Sequence, residues 1–491
     1  MPRKIPRLLW IAPALVYLLY FFQIAGAGIL GADEPRYAAI GREMASSGDW
    51  ITPRLWGEPW FEKPALLYWM TGAGFRLGLG PELAPRLPVA LLSVAFLVFF
   101  WWILAREFGP RAAWLSTLIL GTSAAWIGFS QVGVTDLPLT ATFSAAMLLA
   151  LPWIARRETR YLPAASALLG FAVLAKGLLP VVLAAPLAIG WRGWRDLVRP
   201  RVLAPFFLVA LPWYVLCYLR NGYPFIDVFF IQHQFGRFVS GALQHVQPWW
   251  FYLPALAGLL LPWTPLLPLA ADRAGYRDAR HFFLLLWVAF GLLFFSAAAN
   301  KLPGYVLPLI PAVAALLGTA LDRAQRPAVW MTLCALVLVA FPLAIPVLPA
   351  AVADGLSRAP RPALGWTCLL PVAAAAAVWM LEAKGRRLTA TLVIAAGTTA
   401  GVTALKIADA GGLDRLASAR SLWNAAGGRA SEICLGELRR NWQYGLNYYA
   451  GTSLPSCKTA PRPIRIMQTP GKIPQLLTMK PKGVLPAVDL H

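Results

Sequence analysis

Charge is scarce in this chain. Asp, Glu, Lys and Arg make up 13% of its 491 residues, about half the roughly 25% of an ordinary soluble domain, which excludes a protein folded wholly in water. Histidine is scarcer still, with four residues, and the five cysteines include no CxxC pair. There is no HExxH, no P-loop and no dinucleotide-binding unit, so a classical metalloprotease and a nucleotide-driven pump have no support. No internal repeat of about 20 to 50 residues occurs, which removes a solenoid.

What the chain has is apolar length. Hydrophobic residues are 58% of it, and runs of about 20, enough to cross a hydrocarbon core of roughly 30 Å as a helix, recur from residue 8 to residue 408. The length criterion predicts an all-α polytopic membrane protein with about 13 spanning helices. They fall near 8–30, 87–105, 112–129, 136–154, 161–175, 178–191, 202–219, 249–271, 281–297, 303–321, 328–349, 363–381 and 388–408. The pair around Lys176 is short and could form one re-entrant unit.

The net charge of +22 would suggest nucleic acid as partner in a soluble protein. Here the basic residues sit in every second connection, for example Arg156, Arg157 and Arg160, then Arg192, Arg195, Arg199 and Arg201. That is the distribution of retained cytoplasmic loops. The charge therefore reports topology, no nucleic-acid partner is expected, and an odd span count puts the amino terminus inside and the polar tail, 409–491, outside. Cys434 and Cys457 lie in that tail, where an oxidising compartment permits a disulfide.

The remaining polar residues collect in the connections on the outside. The long ones are 31–86 and 220–248. In the first, "PRYAAIGREM" spaces Tyr37, Ile40, Gly41 and Met44 at three and four, which predicts a short amphipathic helix in the membrane interface. Pro35 suits its first turn, Asp33 or Glu34 is placed to cap it, and "SSGD" ends it. "GEPWFEKPALLYW" then sets Glu62 and Lys63 among aromatics. Lys176 in "FAVLAKGLLPVVL" is costly at that depth without a partner or a watery cavity, and Asp136 and Lys301 stand at other outside helix ends. Lysines and an arginine, Arg237, beside carboxylates suit a phosphorylated lipid. His233 and His245 lie in the second long loop, where Glu62 with His233 makes a weak candidate metal pair.

The stretch "ADEPRYAAIGREMASSGDWITPRLWGEPWFEKPALLYW" resembles the first outside loop of the bacterial lipid A aminoarabinose transferases and the wider protein O-mannosyltransferase-like family. "LAKGLLP", "HQFGRF", "HVQPWWFYLP" and "NKLPGYVLPLIPA" are similar to later signatures of that family, in the same order, so the resemblance covers residues 1 to about 320. It implies a GT-C fold with a large first periplasmic loop and a small C-terminal periplasmic α/β domain. It further implies an inverting glycosyltransferase of the bacterial inner membrane using a sugar on undecaprenyl monophosphate. The acceptor would be lipid A, a protein or another glycan.

Carried over residue by residue, the resemblance makes Asp33 the general base, and Lys63, Lys176 and Arg237 the groups that steady the departing phosphate. Glu34, Arg36, Tyr37, Lys301, Tyr305 and His245 would line the substrate cavity. Glu62 with His233 would hold one divalent ion, and no nucleotide cofactor is implied. Two other readings fit the same residues: a flippase for lipid-linked sugars, and a polymerase or ligase using a pyrophosphate-linked donor. A flippase would more often show internal repeats or paired broken helices near mid-membrane, whereas these charges gather at one face.

Overall fold

The structure is a computed structural model that describes residues 11–236, 247–271, 275–362, 364–469 and 472–478. Among these, seven helices are long and apolar enough to cross a membrane, or nine if each of two sharply bent pairs is one span. The bent pairs are Pro110–Gly121 with Ala124–Ser130, and Trp249–Leu259 with Thr264–Ala271. Shorter apolar helices, Ala12–Phe21, Leu162–Lys176, Leu179–Ala188 and Ala328–Ala344, coincide with the other expected spans but fall below the length test. The chain is a multi-pass membrane protein.

Burial sorts these helices. The helical stretch Asp136–Arg156 has its apolar window wholly buried, and Pro303–Arg323 is 89% buried. Pro200–Asn221 and Trp366–Ala383 bury 22% and 17% of theirs and turn residues such as Leu208, Leu219 and Leu369 outward. Apolar faces of that extent have no place in water and are those of lipid-facing helices around a packed centre.

The first loop folds over one end of this bundle. Its helix Asp33–Ser47 is longer than the predicted one and stops at Gly48, whose φ of 75° is the left-handed cap that glycine adopts at least cost. The apolar stripe is as expected, with Tyr37, Ile40, Gly41 and Met44 buried, but it faces protein rather than lipid. A Cβ at Gly41 would lie 2.6 Å from the Thr71 side chain, so glycine lets this helix press against its neighbour Leu66–Arg76. The Arg54–Leu55 and Glu58–Pro59 strands pair as a small hairpin between the two helices. No side chain caps the start of Asp33–Ser47. Asp33 instead pairs with Arg36, and Glu34 accepts from the backbone of Leu30.

After the last long helix, Arg387–Ala417, comes a small α/β unit. Ile433–Leu435 pairs in parallel with Ile464–Met467, which pairs antiparallel with Gln475–Thr478. The helices Ala419–Ala425 and Arg440–Ala450 pack Leu422, Trp442 and Leu446 against Ile433 and Ile466. Cys434 and Cys457 form a disulfide, as their shared tail suggested.

Polar ties hold this unit and the end of the preceding helix to the first loop and the residues just before it. Asp414 accepts from the Gly28 amide at 2.8 Å and from Arg420 at 2.9 Å. The Tyr449 hydroxyl accepts from the Ile29 amide and donates to Glu82. Arg42 donates to the Tyr448 carbonyl at 2.8 Å and lies 4.1 Å from the centre of its ring. The helix Arg440–Ala450 is thereby seated against Asp33–Ser47.

Candidate active site

Where the first loop, the bundle and the α/β unit meet there is a cavity of about 730 Å³. Asp33, Glu34, Arg36, Tyr37, Glu62 and Lys63 come to it from the first loop. Asp136, Lys176 and Tyr305 reach it from helix ends far apart in sequence.

Arg36 organises the loop side. One turn into its helix, its Nη1 donates to Glu62 Oε2 at 2.7 Å, its Nη2 donates to Asp33 Oδ1, and its Nε donates to the Ala32 carbonyl at 3.1 Å. Its guanidinium lies 5.2 Å from the ring centre of Tyr444, 5.8 Å from Tyr37 and 5.9 Å from Trp60. Burial opposes its charge, but Glu62 and Asp33 outweigh that and raise its pKa above the ordinary value. Burial first, then Glu62 and Asp33, raises the Tyr37 phenol well above its usual range, so it stays protonated. The Asp33 side chain is 56% exposed, against 13% for Arg36 and 5% for Glu62. Asp33 is thus anchored through one oxygen and open to the cavity with the other.

The second polar group answers the cost of a deep lysine. Lys176, at the end of Leu162–Lys176, donates to Asp136 Oδ1 at 2.8 Å and lies 5.1 Å from the Tyr305 ring centre. An ammonium has three donors, so the bond to Asp136 leaves capacity for a further anion. Lys63 Nζ is 3.8 Å from Glu62 Oε1.

Several expected members stand elsewhere. Glu34 touches the cavity wall, but both its oxygens are committed: Arg86 Nε donates to Oε1 at 2.7 Å and Arg86 Nη2 to Oε2 at 2.9 Å. The amides of Gly133 and Leu30 complete the set at 3.0 and 2.8 Å. Lys301, expected in the cavity, is not among its lining residues. It is buried and donates to the carbonyls of Gln247, at 3.0 Å, and Ala298, at 2.5 Å, because a buried ammonium must find acceptors where the chain turns. Arg237 and His245 lie outside the described residues, as does the His233 side chain. The expected metal pair finds no support: Glu62 is engaged by Arg36 and Lys63, and no group of three or more His, Cys, Asp or Glu among the described residues could hold an ion.

Sequence reasoning missed Arg440 and Tyr444, which reach the cavity from the α/β unit. The ring of Tyr444 stacks on Trp56, with centroids 6.4 Å apart. Their spacing of four residues in "RRNWQYGL" places both on one helix face, but nothing local says which face meets the cavity.

Residues 62–217 match the family described as dolichyl-phosphate-mannose-protein mannosyltransferase. The chain is 35% identical over 327 residues to the undecaprenyl phosphate-alpha-4-amino-4-deoxy-L-arabinose arabinosyl transferase of Pseudomonas aeruginosa, covering 63% of this chain and 58% of that one. The protein of the same name from Edwardsiella ictaluri is 34% identical over 332 residues, covering 64% and 59%. The chain thus aligns with less than two thirds of the length of these relatives. The crystal structure of ArnT from Cupriavidus metallidurans bound to undecaprenyl phosphate superposes with a TM-score of 0.76 at 26% identity over 93% of both chains. The oligosaccharyltransferase of Archaeoglobus fulgidus, at 12% identity and a TM-score of 0.51 over 90% of this chain and 63% of that one, shares the fold alone.

A charged first loop closing over one end of a helical bundle, with these neighbours, defines the class as a GT-C-type membrane protein. Within that class the chain is similar to the undecaprenyl phosphate-alpha-4-amino-4-deoxy-L-arabinose arabinosyl transferases and, over residues 62–217, to the dolichyl-phosphate-mannose-protein mannosyltransferase family.

Proposed function

We propose that this protein is an inverting glycosyltransferase that moves a sugar from an undecaprenyl monophosphate donor to an acceptor at the periplasmic face of a bacterial inner membrane. The observation that carries the reading is Asp33: a carboxylate held through one oxygen by Arg36, exposed with the other, in a cavity that also presents Lys63 and Lys176. Support also comes from the relative whose crystal structure is described as bound to undecaprenyl phosphate.

In this mechanism the free oxygen of Asp33 takes the proton of the acceptor's attacking group. The acceptor oxygen bonds to the anomeric carbon from the face opposite the phosphate. The bond from that carbon to the phosphate oxygen breaks, its electron pair leaves with undecaprenyl phosphate, and the configuration inverts. Lys63 and Lys176, with Arg237 from the second long loop, steady the charge on the departing phosphate. Arg36 keeps Asp33 aimed, while Tyr37 and Tyr305 shape the sugar site.

The donor to test first is the one named for the relatives, undecaprenyl phosphate 4-amino-4-deoxy-L-arabinose, with lipid A as acceptor. We further assign 1–408 to the transferase domain, with about 13 spans by length, and 409–491 to a periplasmic domain, with the amino terminus cytoplasmic. The basic connections support that orientation. The test is transfer of label from the donor in membranes containing the protein: wild type transfers, and Asp33→Asn at the same protein level does not. Full activity of Asp33→Asn would remove the base assignment.

A further inference from the structure

The basic side chains on the cavity wall are Arg36, Lys63, Lys176 and Arg440, and the acidic ones are Asp33, Glu34, Glu62 and Asp136. Glu34 is neutralised by Arg86 from behind the wall. Asp33 and Glu62 face Arg36 and Lys63, and Asp136 faces Lys176. Arg440 is the cation left over: it is exposed and makes no hydrogen bond, ion pair or ring contact with the other described residues.

Its position is nevertheless well defined. Trp442, Leu446 and Tyr448 bury the other side of the same helix. Tyr444, one turn further on, is fixed by Trp56 and by the Arg36 guanidinium. The helix thus presents a guanidinium with no partner among the described residues, at a cavity where every other described cation has a carboxylate within reach. The counter-charge it lacks is that of a ligand, and its planar fork suits a phosphate or carboxylate.

We propose that Arg440 recognises an anionic group of the acceptor, a phosphate ester, so that the α/β unit contributes directly to acceptor choice. The inference rests on the transferase reading in that it takes the cavity as the meeting place of donor and acceptor. The phosphate could belong to either lipid. The acceptor is favoured because Arg440 is carried by the α/β unit rather than by a spanning helix, whereas Lys176 ends an apolar helix of the bundle.

The test uses the full chain in nanodiscs without donor, so that it does not depend on turnover. Binding is measured for lipid A, for the same lipid A after phosphatase treatment, and for undecaprenyl phosphate. Wild type should prefer the phosphorylated lipid A by about tenfold or more, the scale of a hydrogen bond to a charged group. Arg440→Ala should erase that preference, Arg440→Lys should keep part of it, and undecaprenyl phosphate should bind all variants alike. An intact Cys434–Cys457 bridge on a non-reducing gel checks folding. Loss of undecaprenyl phosphate binding instead would assign the residue to the donor and overturn the proposal, and so would an unchanged preference for phosphorylated lipid A. Failure of wild type to transfer sugar would bear on the transferase reading alone, since the binding arms need no reaction.

Discussion

Asp33 and Glu34 are adjacent in the chain yet belong to polar clusters of opposite kind. Glu34 and Arg86 are sealed from solvent, with side chains 0% and 3% exposed. Arg86 also donates to the carbonyls of Ile24, Ala27 and Gly28 at 3.0, 2.7 and 2.8 Å. Every strong donor and acceptor there is used within the protein, so the cluster can only hold the first loop against the bundle. In the Asp33, Arg36 and Glu62 cluster one carboxylate is more than half exposed, and the group can exchange a proton or a partner without unfolding anything. A closed cluster serves the fold and an open one can serve chemistry; the residue types are the same.

That contrast can be broken from either side. The largest effect is expected from Asp33→Asn, which removes the proposed general base and should lower transfer by about 10²–10⁴-fold. Its heat-denaturation midpoint should stay that of wild type, since an exposed substitution usually costs within about 0.5 kcal/mol. Arg86→Ala should do the reverse, leaving Glu34 buried without its counter-charge. The cost is about 3–5 kcal/mol, read as a lower denaturation midpoint in detergent and a poor yield, and activity falls only as folded protein is lost. A wild-type midpoint for Arg86→Ala would mean that the closed cluster is not what holds the loop.

Smaller effects sharpen the comparison at the α/β unit. Cys434→Ser opens a bridge between residues 23 apart in sequence, for which loop-closure entropy predicts about 3 kcal/mol of domain stability. Faster limited proteolysis after residue 418, with the bundle intact, is the expected result. Tyr444→Ala removes one ring beside Arg36, an interaction of about 0.5–2 kcal/mol. It should lower kcat severalfold at unchanged donor KM, with Tyr444→Phe restoring it because the ring rather than the hydroxyl meets the guanidinium. A Phe variant as impaired as Ala would point to the hydroxyl instead.

Much of the architecture was legible without coordinates because it follows from local pattern. Apolar length marks the spans, basic connections alternate between them, and spacing at three and four marked the buried stripe of Asp33–Ser47. The need of Lys176 for a partner was also readable, since a deep ammonium is costly, and the partner proved to be Asp136. Which surface each pattern meets was not readable. Periodicity says that Tyr37, Ile40 and Met44 share an apolar face, but lipid and the helix Leu66–Arg76 satisfy that face equally well. A lysine at a helix end reads alike whether it turns to a cavity, as Lys176 does, or to the carbonyls of its own chain, as Lys301 does.

The sequence by itself therefore determined that this is a multi-pass membrane protein with a polar first loop and a small polar tail, because burial of apolar length is a property of each segment alone. Only the tertiary structure decided which carboxylate is open. Asp33 differs from Glu34 because Arg86, 52 residues from Glu34, reaches one and not the other. It also brought Arg440 and Tyr444 to the cavity, some four hundred residues after Arg36. Charge pairing depends on distances of a few ångströms between distant segments, and no one-dimensional pattern carries those.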